Sequence, residues 1–368
     1  MNSFIDLLKK KDGMQNYYQQ CVESVSHANE IVLFGCGRGG RNVFDLFAEN
    51  GINKNVVAFC DNNADKQGTT FLGLDVFAPA KAANQFPNAF YIISCVDNVE
   101  PTNQLIDLGI KESHVTTFDF TWNDSKQTNF EYIMQHVQEF ETVYHLLADD
   151  LSKRVYVNLL NYKITREQKY LNEIFNPFEK QYFNDLVPFK KGQVFVDVGA
   201  YVGDTLESYV NWSQGNYGKV YCFEPNVVNY QRLNQKVRQN DWHDVLTYQL
   251  GISKSKNKLF FDPMSPGGGF LSNRGTMAVP VDTLDHFLNN EQVDFIKLDL
   301  EGEEYNALAG GKNLIQKYRP VLAVCVYHKK DDFYQLVRYI KELCPDYQLY
   351  FRHYSLTEGE TVCYALPK

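Results

Sequence analysis

Four acidic residues and one histidine stand at the ends of apolar, strand-like runs in the C-terminal half of the chain. They are Asp197, Glu224, Asp299, Glu301 and His328. Because these runs alternate with helical patterns, they predict a mostly parallel sheet, and the carboxyl ends of its strands meet at one edge. Carboxylates and an imidazole collected at such an edge can accept hydrogen bonds from a ligand, take up a proton or bind a cation.

A glycine-containing turn follows the first of these strands. The segment VFVDVGAYVGD, from Val194 to Asp204, is an apolar run that breaks at Gly199 and Gly203 and continues as a helical pattern. The next strand, VYCFEP, ends on Glu224, and a carboxylate there is typical of ribose binding. The spacing is D-x-G-x-x-x-G, whereas a diphosphate is cradled by G-x-G-x-x-G. We therefore predict a nucleoside ligand without phosphates, of which S-adenosylmethionine (SAM) is the common one.

Several blocks of this half are similar to a known family. They are DVGAYVGDT (197–205), FEP (223–225), VPVDTLDHFL (279–288), IKLDLEGEEYNALAGG (296–311), RPVLAVCVYHKKDDFYQL (319–336) and YQLYFRHYS (347–355). Over roughly residues 180–368 the chain resembles FkbM-type SAM-dependent methyltransferases, although Tyr201 stands where that family usually has Asn. The resemblance implies a class I methyltransferase fold, with a seven-stranded sheet that closes on an antiparallel pair.

The pattern and the resemblance together predict the site residues. SAM would be held by Asp197, Gly199, Ala200, Tyr201, Gly203, Asp204, Thr205, Glu224, Pro225 and Asp299. His328 is the first candidate for a general base, because it directly follows a strand and imidazole titrates near neutral pH; a surface-loop role is the alternative. Asp299 and Glu301 are the alternative bases or ligands of a divalent ion, although no motif specifies a metal. Either acid could instead stabilise the start of the following helix.

The stretch from Glu30 to Phe120 predicts a second α/β unit. Its first turn has the glycine spacing and distal acid of an NAD fingerprint, in Gly35, Gly37, Gly40 and Asp61. Three glycines can equally serve to pack a helix close to a sheet, and Arg38 and Arg41 could meet phosphates or solvent. The segment 60–79 resembles small Rossmann-like domains of bacterial polysaccharide-modifying enzymes, which implies a nucleotide-sugar or structural role. We find no candidate hydride-transfer machinery downstream.

The organisation predicted for the whole chain is α/β, with two Rossmann-like units joined by helices. We place an N-terminal Rossmann-like domain at 1–121, a helical connector at 122–180 and a methyltransferase domain at 181–368. His136 and His145 fall in the helical stretch, where packing or solvation is favoured over metal binding. The glycine-rich segment 262–276 predicts either a lid over the substrate or a wide hairpin turn.

Composition limits the classes of partner. The net charge of −9 and a pI near 5.4 argue against nucleic-acid binding, which needs a basic surface. No run of about 18 apolar residues and no signal-peptide core are found, so we expect no membrane insertion and a cytoplasmic location. The eight cysteines form no C-x-x-C pair and mostly lie in apolar runs, which predicts reduced, buried thiols and no zinc site. A homo-oligomer is compatible with the sequence.

Three functions compete at this point. The leading hypothesis is a SAM-dependent O-methyltransferase that acts on a sugar hydroxyl of a bacterial surface glycan or of its nucleotide-sugar precursor. The sugar comes from the family resemblance and the first domain. The alternative is a nucleotide-sugar- or NAD-binding protein with a non-catalytic methyltransferase-like domain. A scaffold in a glycan-assembly complex is a third hypothesis, supported only by the abundance of aromatic residues.

Overall fold

The computed structural model describes residues 3–10, 21–95, 98–118, 128–261, 271–272, 277–289 and 291–368. The chain forms two compact units. The first contains Met1–Gln135, Val157–Glu173 and Ser355–Gly359, and the second contains His136–Tyr156, Ile174–Tyr354 and Glu360–Lys368. The three-part domain division, with boundaries at 121 and 180, stays a prediction. None of the helices in the described part of the chain has the length and apolar character needed to cross a membrane.

A six-stranded sheet organises the first unit. Its strands are β1 (Ile31–Phe34), β2 (Val56–Cys60), β3 (Thr70–Phe71), β4 (Leu74–Phe77), β5 (Phe90–Ile93) and β6 (Val115–Thr117), in the order β3-β4-β2-β1-β5-β6. All neighbours run parallel except β3, which is antiparallel to β4. The helices are α1 (Arg38–Glu49), α2 (Pro79–Gln85) and α3 (Val99–Asp107), with 3-10 turns at Phe4–Leu7, Asn53–Asn55 and Glu112–His114.

Both faces of this sheet are covered, because alternate side chains of a strand point to opposite faces. Ile31 and Leu33 pack with Phe47 of α1, whereas Val32 and Phe34 pack in a separate core with residues of α2 and α3. A parallel strand covered on both faces must be apolar throughout, as the run IVLF is.

Helices occupy the stretch whose apolar spacing predicts them. They are α4 (Phe130–Gln135), α5 (Val137–Leu146), α6 (Asp150–Thr165) and α7 (Lys169–Asn172), followed by a 3-10 turn at Phe178–Lys180. His136 precedes α5, and its ring stacks on Tyr334 with the centroids 5.6 Å apart. That contact is the packed role expected for a histidine in a helical stretch.

A seven-stranded sheet organises the second unit. Its strands are β7 (Val194–Val198), β8 (Lys219–Phe223), β9 (Val245–Tyr248), β14 (Phe295–Leu298), β15 (Val321–Cys325), β16 (Gln348–His353) and β17 (Thr361–Leu366). Their order is β16-β17-β15-β14-β7-β8-β9; β17 pairs antiparallel with β16 and with β15, and the other neighbouring pairs are parallel. The helices are α8 (Asp204–Ser213), α9 (Val227–Gln239), α10 (Leu284–Phe287), α11 (Glu304–Gly310), α12 (Lys312–Tyr318) and α13 (Asp332–Leu343). The predicted sheet with its antiparallel closing pair is confirmed.

A smaller sheet is formed by strands that lie between β9 and β14 in the chain order. Its strands are Gly251–Ile252 (β10), Asn257–Phe261 (β11), Leu271–Ser272 (β12) and Met277–Asp282 (β13). The helices α11 and α12 are separated by Gly311. Gly310, the last residue of α11, packs closely, since a Cβ there would lie 2.1 Å from the Ser253 carbonyl oxygen. Of the predicted lid at 262–276, all but Leu271 and Ser272 falls outside the described residues.

Candidate active site

The turn between β7 and α8 is pressed against the end of a neighbouring strand. Gly199 has φ +85°, and a Cβ at this position would lie 1.9 Å from the Asp299 carbonyl oxygen, so only glycine fits. The amides of Gly199 and Ala200 both donate to the Phe223 carbonyl at 3.0 Å. The turn is therefore fixed by backbone contacts on two sides, and it presents Tyr201, which is exposed.

Glu224 stands at the end of β8, beside this turn. Its two oxygens accept hydrogen bonds from the amides of Tyr201 (2.9 Å) and Asn226 (2.8 Å). Burial raises the pKa of Glu224 to about 7, although these amides oppose the shift. The Asn229 side chain is a further hydrogen-bond partner of this carboxylate. A carboxylate has about four acceptor positions, so capacity remains for a donor from a ligand. A ribose with adjacent hydroxyls fits this acceptor, which makes the turn and Glu224 suitable for SAM.

A buried ion pair contacts the backbone of the Gly199 turn. Lys297 Nζ lies 3.0 Å from Asp197 Oδ1 and donates to the Gly199 carbonyl at 2.7 Å. Lys297 and Asp197 are register partners on β14 and β7, and both are buried. Burial raises the pKa of Asp197; it also disfavours the Lys297 ammonium, but the attraction of Asp197 and Asp299 prevails and the pKa of Lys297 is raised. Asp197, predicted as a cofactor contact, thus acts on the turn through Lys297.

The other predicted cofactor residues surround the same turn. Gly203 has φ +82° and precedes α8, whose first two residues are the exposed Asp204 and the half-buried Thr205. Pro225 is half-buried and follows Glu224. The structure thus brings the predicted cofactor set to one edge of the sheet.

Beside the turn, His328 lies between two carboxylates. Its Nδ1 is 2.8 Å from Glu304 Oε1, and its Nε2 is 3.4 Å from Asp299 Oδ1. The Tyr182 hydroxyl donates to Asp299 Oδ2 at 3.1 Å, and the Leu300 amide donates to Glu304 Oε1 at 2.7 Å. The side chains of His328 and Glu304 are 1% and 0% exposed, whereas that of Asp299 is 27% exposed. Asp299 is the member of the trio that a ligand can reach.

The environment of His328 changes its expected chemistry. Burial disfavours the imidazolium, but Glu304 and Asp299 more than offset this effect and raise the pKa of His328 to about 10. The neutral-pH titration that the sequence predicts for His328 does not fit this environment, because an intrinsic pKa ignores two adjacent carboxylates. Glu301 does not join the trio: it lies half-buried in the turn after β14, with φ +54°.

Sequence reasoning missed Glu304 and Tyr182. Glu304 belongs to the segment EGEE, where an acid is expected simply because it favours a helix start. Its complete burial is the distinguishing property, and no pattern in the sequence shows it. Tyr182 precedes Asp299 by 117 residues and belongs to no motif.

The glycine turn of the first unit has a different environment. A Cβ on Gly39 would lie 1.8 Å from the Ser94 carbonyl oxygen, and one on Gly40 would lie 2.1 Å from that of Gly35. Asp61 Oδ2 accepts from the Cys36 amide at 2.8 Å and forms an ion pair with Lys66 at 3.0 Å. Close helix-to-sheet packing therefore accounts for these glycines, and NAD binding there stays a prediction.

Comparison with known proteins assigns a family to the segment that contains the Gly199 turn. Residues 197–349 match the family model of the methyltransferase FkbM domain. This match assigns residues 197–349 to the methyltransferase FkbM domain. In a comparison of structures, the chain is similar to the methyltransferase FkbM of Methylobacillus flagellatus KT, with 22% identity and a TM-score of 0.65 over 94% of this chain and 93% of that one. This likeness shows that the two chains share a fold.

More distant similarities involve part of the chain. An rRNA methylase from Streptococcus thermophilus is 13% identical, with a TM-score of 0.34 over 56% of this chain and 95% of that one. Aeropyrum pernix fibrillarin, whose structure contains natively bound S-adenosyl-L-methionine, is 12% identical, with a TM-score of 0.30 over 48% of this chain and 67% of that one. A comparison with curated proteins returns no match.

Proposed function

We propose that the FkbM domain transfers a methyl group from SAM to a hydroxyl oxygen of a sugar. The acceptor would be a bacterial surface glycan or its nucleotide-sugar precursor, and the reaction would take place in the cytoplasm. The observation that carries the proposal is the position of Asp299: its backbone carbonyl abuts Gly199, and its side chain is partly exposed. Glu224 contacts the same turn through the Tyr201 amide. A cofactor-binding turn and a proton acceptor thus share one edge of the sheet.

The chain supplies alignment for the reaction. Glu224 would accept the ribose hydroxyls, and the Gly199 turn would let the ligand approach the backbone, with Lys297 holding the turn in place. SAM, when bound, supplies an electrophilic methyl group on a sulfonium, and its transfer forms a C–O bond while the C–S bond breaks and leaves a neutral thioether. Because positive charge is lost in this reaction, the protein gains most from orientation and exclusion of water.

Asp299 is the proposed acceptor of the hydroxyl proton. It is exposed enough to meet an acceptor sugar, whereas His328 and Glu304 are buried behind it. The Tyr182 O–H donates to Asp299 Oδ2 and so restrains the orientation of the carboxylate. A positioned base of this kind contributes about 10²–10⁴-fold to the rate.

The test compares two substitutions of similar size. Asp299→Asn should lower methyl transfer by about a hundredfold, the usual scale for a lost base, while SAM affinity changes by less than about threefold. Glu303→Gln removes a nearby carboxylate that bonds Asn306, and it should leave both quantities near the wild-type values. The assay uses labelled SAM with defined glycan fractions and nucleotide sugars, and calorimetry reports SAM binding.

Two outcomes would overturn the proposal. Wild-type protein that binds SAM but labels only nitrogen or carboxylate acceptors would refute O-methylation. Protein that binds NAD or a nucleotide sugar but not SAM would instead support the binding-protein alternative with a non-catalytic methyltransferase-like domain.

A further inference from the structure

We propose that Asp299, Glu304 and His328 form a binding site for a divalent cation, with Mn²⁺ or Mg²⁺ as the fitting class. Each residue offers one ligand atom, and these atoms all lie within 4.8 Å of one another. Two carboxylates supply the hard oxygen ligands that these ions prefer. Mn²⁺ also accepts an imidazole nitrogen, which His328 would provide when the cation displaces its proton into solvent. The set differs from the two carboxylates, Asp299 and Glu301, that the sequence alone indicates.

An unsatisfied oxygen provides independent support. Glu304 Oε2 is buried and has no hydrogen-bond partner among the residues that the structure describes, while Oε1 of the same carboxylate accepts from the Leu300 amide. Burying a carboxylate oxygen without a partner costs free energy, and native proteins rarely leave one so. A cation that binds Glu304 through Oε2 would satisfy this oxygen.

Two further carboxyl groups lie near the cluster. Asp332 is buried and Glu360 is half-buried, and they interact electrostatically with Glu304 and Asp299 respectively. Burial raises the pKa of each to about 7. Of the neighbouring lysines, Lys297 is paired with Asp197, and the Lys329 ammonium donates to the Gly302 carbonyl. Together with Asp299 and Glu304, four carboxyl groups therefore lie around His328, whereas the nearby basic groups are this imidazole and two lysines, of which Lys297 is also attracted by Asp299. Carboxyl groups outnumber the basic groups, and this favours a divalent cation.

The site is open on one side. Asp299 is partly exposed, whereas Glu304 and His328 lie at the buried side. A cation held by these three residues would keep coordination positions toward solvent, as metal sites that bind substrate do. An acceptor hydroxyl could occupy such a position; this last step rests on the proposed function, whereas cation binding itself does not.

The test is a Mn²⁺ titration of the full-length protein after dialysis against a chelator. Electron paramagnetic resonance measures free Mn²⁺, so binding appears as loss of signal, and we expect one ion per chain. Glu304→Gln keeps an oxygen for the Leu300 amide but removes the charge, and it should weaken binding at least tenfold. Glu303→Gln, one position away on the chain, should bind as the wild type does. Wild-type protein that takes up no Mn²⁺ at millimolar concentration would overturn the site.

A second variant and a parallel activity assay distinguish failure of the cation site from failure of the proposed function. Asp299→Asn is a second variant at a partly exposed position; it should also weaken Mn²⁺ binding at least tenfold, and circular dichroism checks the fold of both variants. SAM binding and methyl transfer are measured on the same samples. Mn²⁺ uptake without any methyl transfer would refute the proposed function and leave the site intact. Methyl transfer that persists in chelator, with no Mn²⁺ uptake, would refute the site alone.

Discussion

The two units carry the same local arrangement of strand, glycine turn, helix and strand ending in an acid. In both, a glycine beside the turn approaches a carbonyl of a neighbouring strand too closely for any side chain: Gly39 meets Ser94, and Gly199 meets Asp299. The glycines in both units therefore report how tightly the backbone packs. Glycine spacing alone does not separate a ligand-binding turn from a structural one.

The difference lies in what surrounds the acid. Asp61 is paired with Lys66, whereas Glu224 accepts from backbone amides and has a pKa raised by burial to about 7. The thiols of Cys36 and Cys60 also lie near Asp61, and burial raises the pKa of Cys36 to about 12, so that thiol stays protonated at neutral pH. Near the Gly199 turn the side chains are the carboxylates and imidazole of the proposed site. The neighbouring side chains, and not the glycine motif, therefore indicate which sheet edge is suited to a reaction.

The largest expected effect comes from the buried pair under the Gly199 turn. Lys297→Met would leave the Asp197 carboxylate buried without its counter-charge and remove the donor to the Gly199 carbonyl. We expect the free energy of unfolding to fall by about 3–5 kcal/mol. Urea denaturation, monitored by circular dichroism, measures this change in the free energy of unfolding. A loss below about 1 kcal/mol would show that the pair is not a support of the turn.

The second prediction concerns the replacement of Glu224 and of Asp61 by the corresponding amides. Glu224→Gln should weaken SAM binding at least tenfold, because a charge-assisted hydrogen bond contributes about 1.5–3 kcal/mol. Asp61→Asn is the matched control in the first unit and should change SAM affinity less than about twofold. Calorimetry on the full-length variants measures both. Equal losses in the two variants would mean that the acids are not functionally different.

Much of this contrast could be predicted from the sequence. The apolar runs predict the strands, and the acids at the strand ends, such as Glu224 and Asp299, follow from chain direction in a parallel sheet. The contribution of Glu304 could not be predicted, because burial of a helix-start acid depends on packing between distant segments. For the same reason the sequence does not indicate how His328 ionises, since its intrinsic pKa says nothing of Glu304, 24 residues earlier in the chain.

The third prediction concerns pH. The pKa of Glu224 lies near 7 in the folded protein, above its ordinary value of 4.5, and ribose hydroxyls would donate to the ionised form. Below pH 7 the group must lose a proton before it can bind, so SAM affinity should rise about tenfold between pH 6 and pH 8. Glu224→Gln should flatten this profile. A wild-type SAM affinity that decreases as the pH is raised from 6 to 8 would contradict the assignment of Glu224.

The smallest expected effect is at the exposed pair of the first unit. Lys66 is 41% exposed and lies 3.0 Å from Asp61 Oδ2, so solvent screens their attraction. Lys66→Met should lower the free energy of unfolding by less than about 1 kcal/mol, since exposed ion pairs contribute little. The same urea denaturation used for Lys297→Met provides a direct comparison of the two acid–lysine pairs. Because Asp61 retains the hydrogen bond from the Cys36 amide, the turn should keep its form, and SAM affinity should be unchanged. If Lys66→Met were as costly as Lys297→Met, burial would not be what separates the two turns.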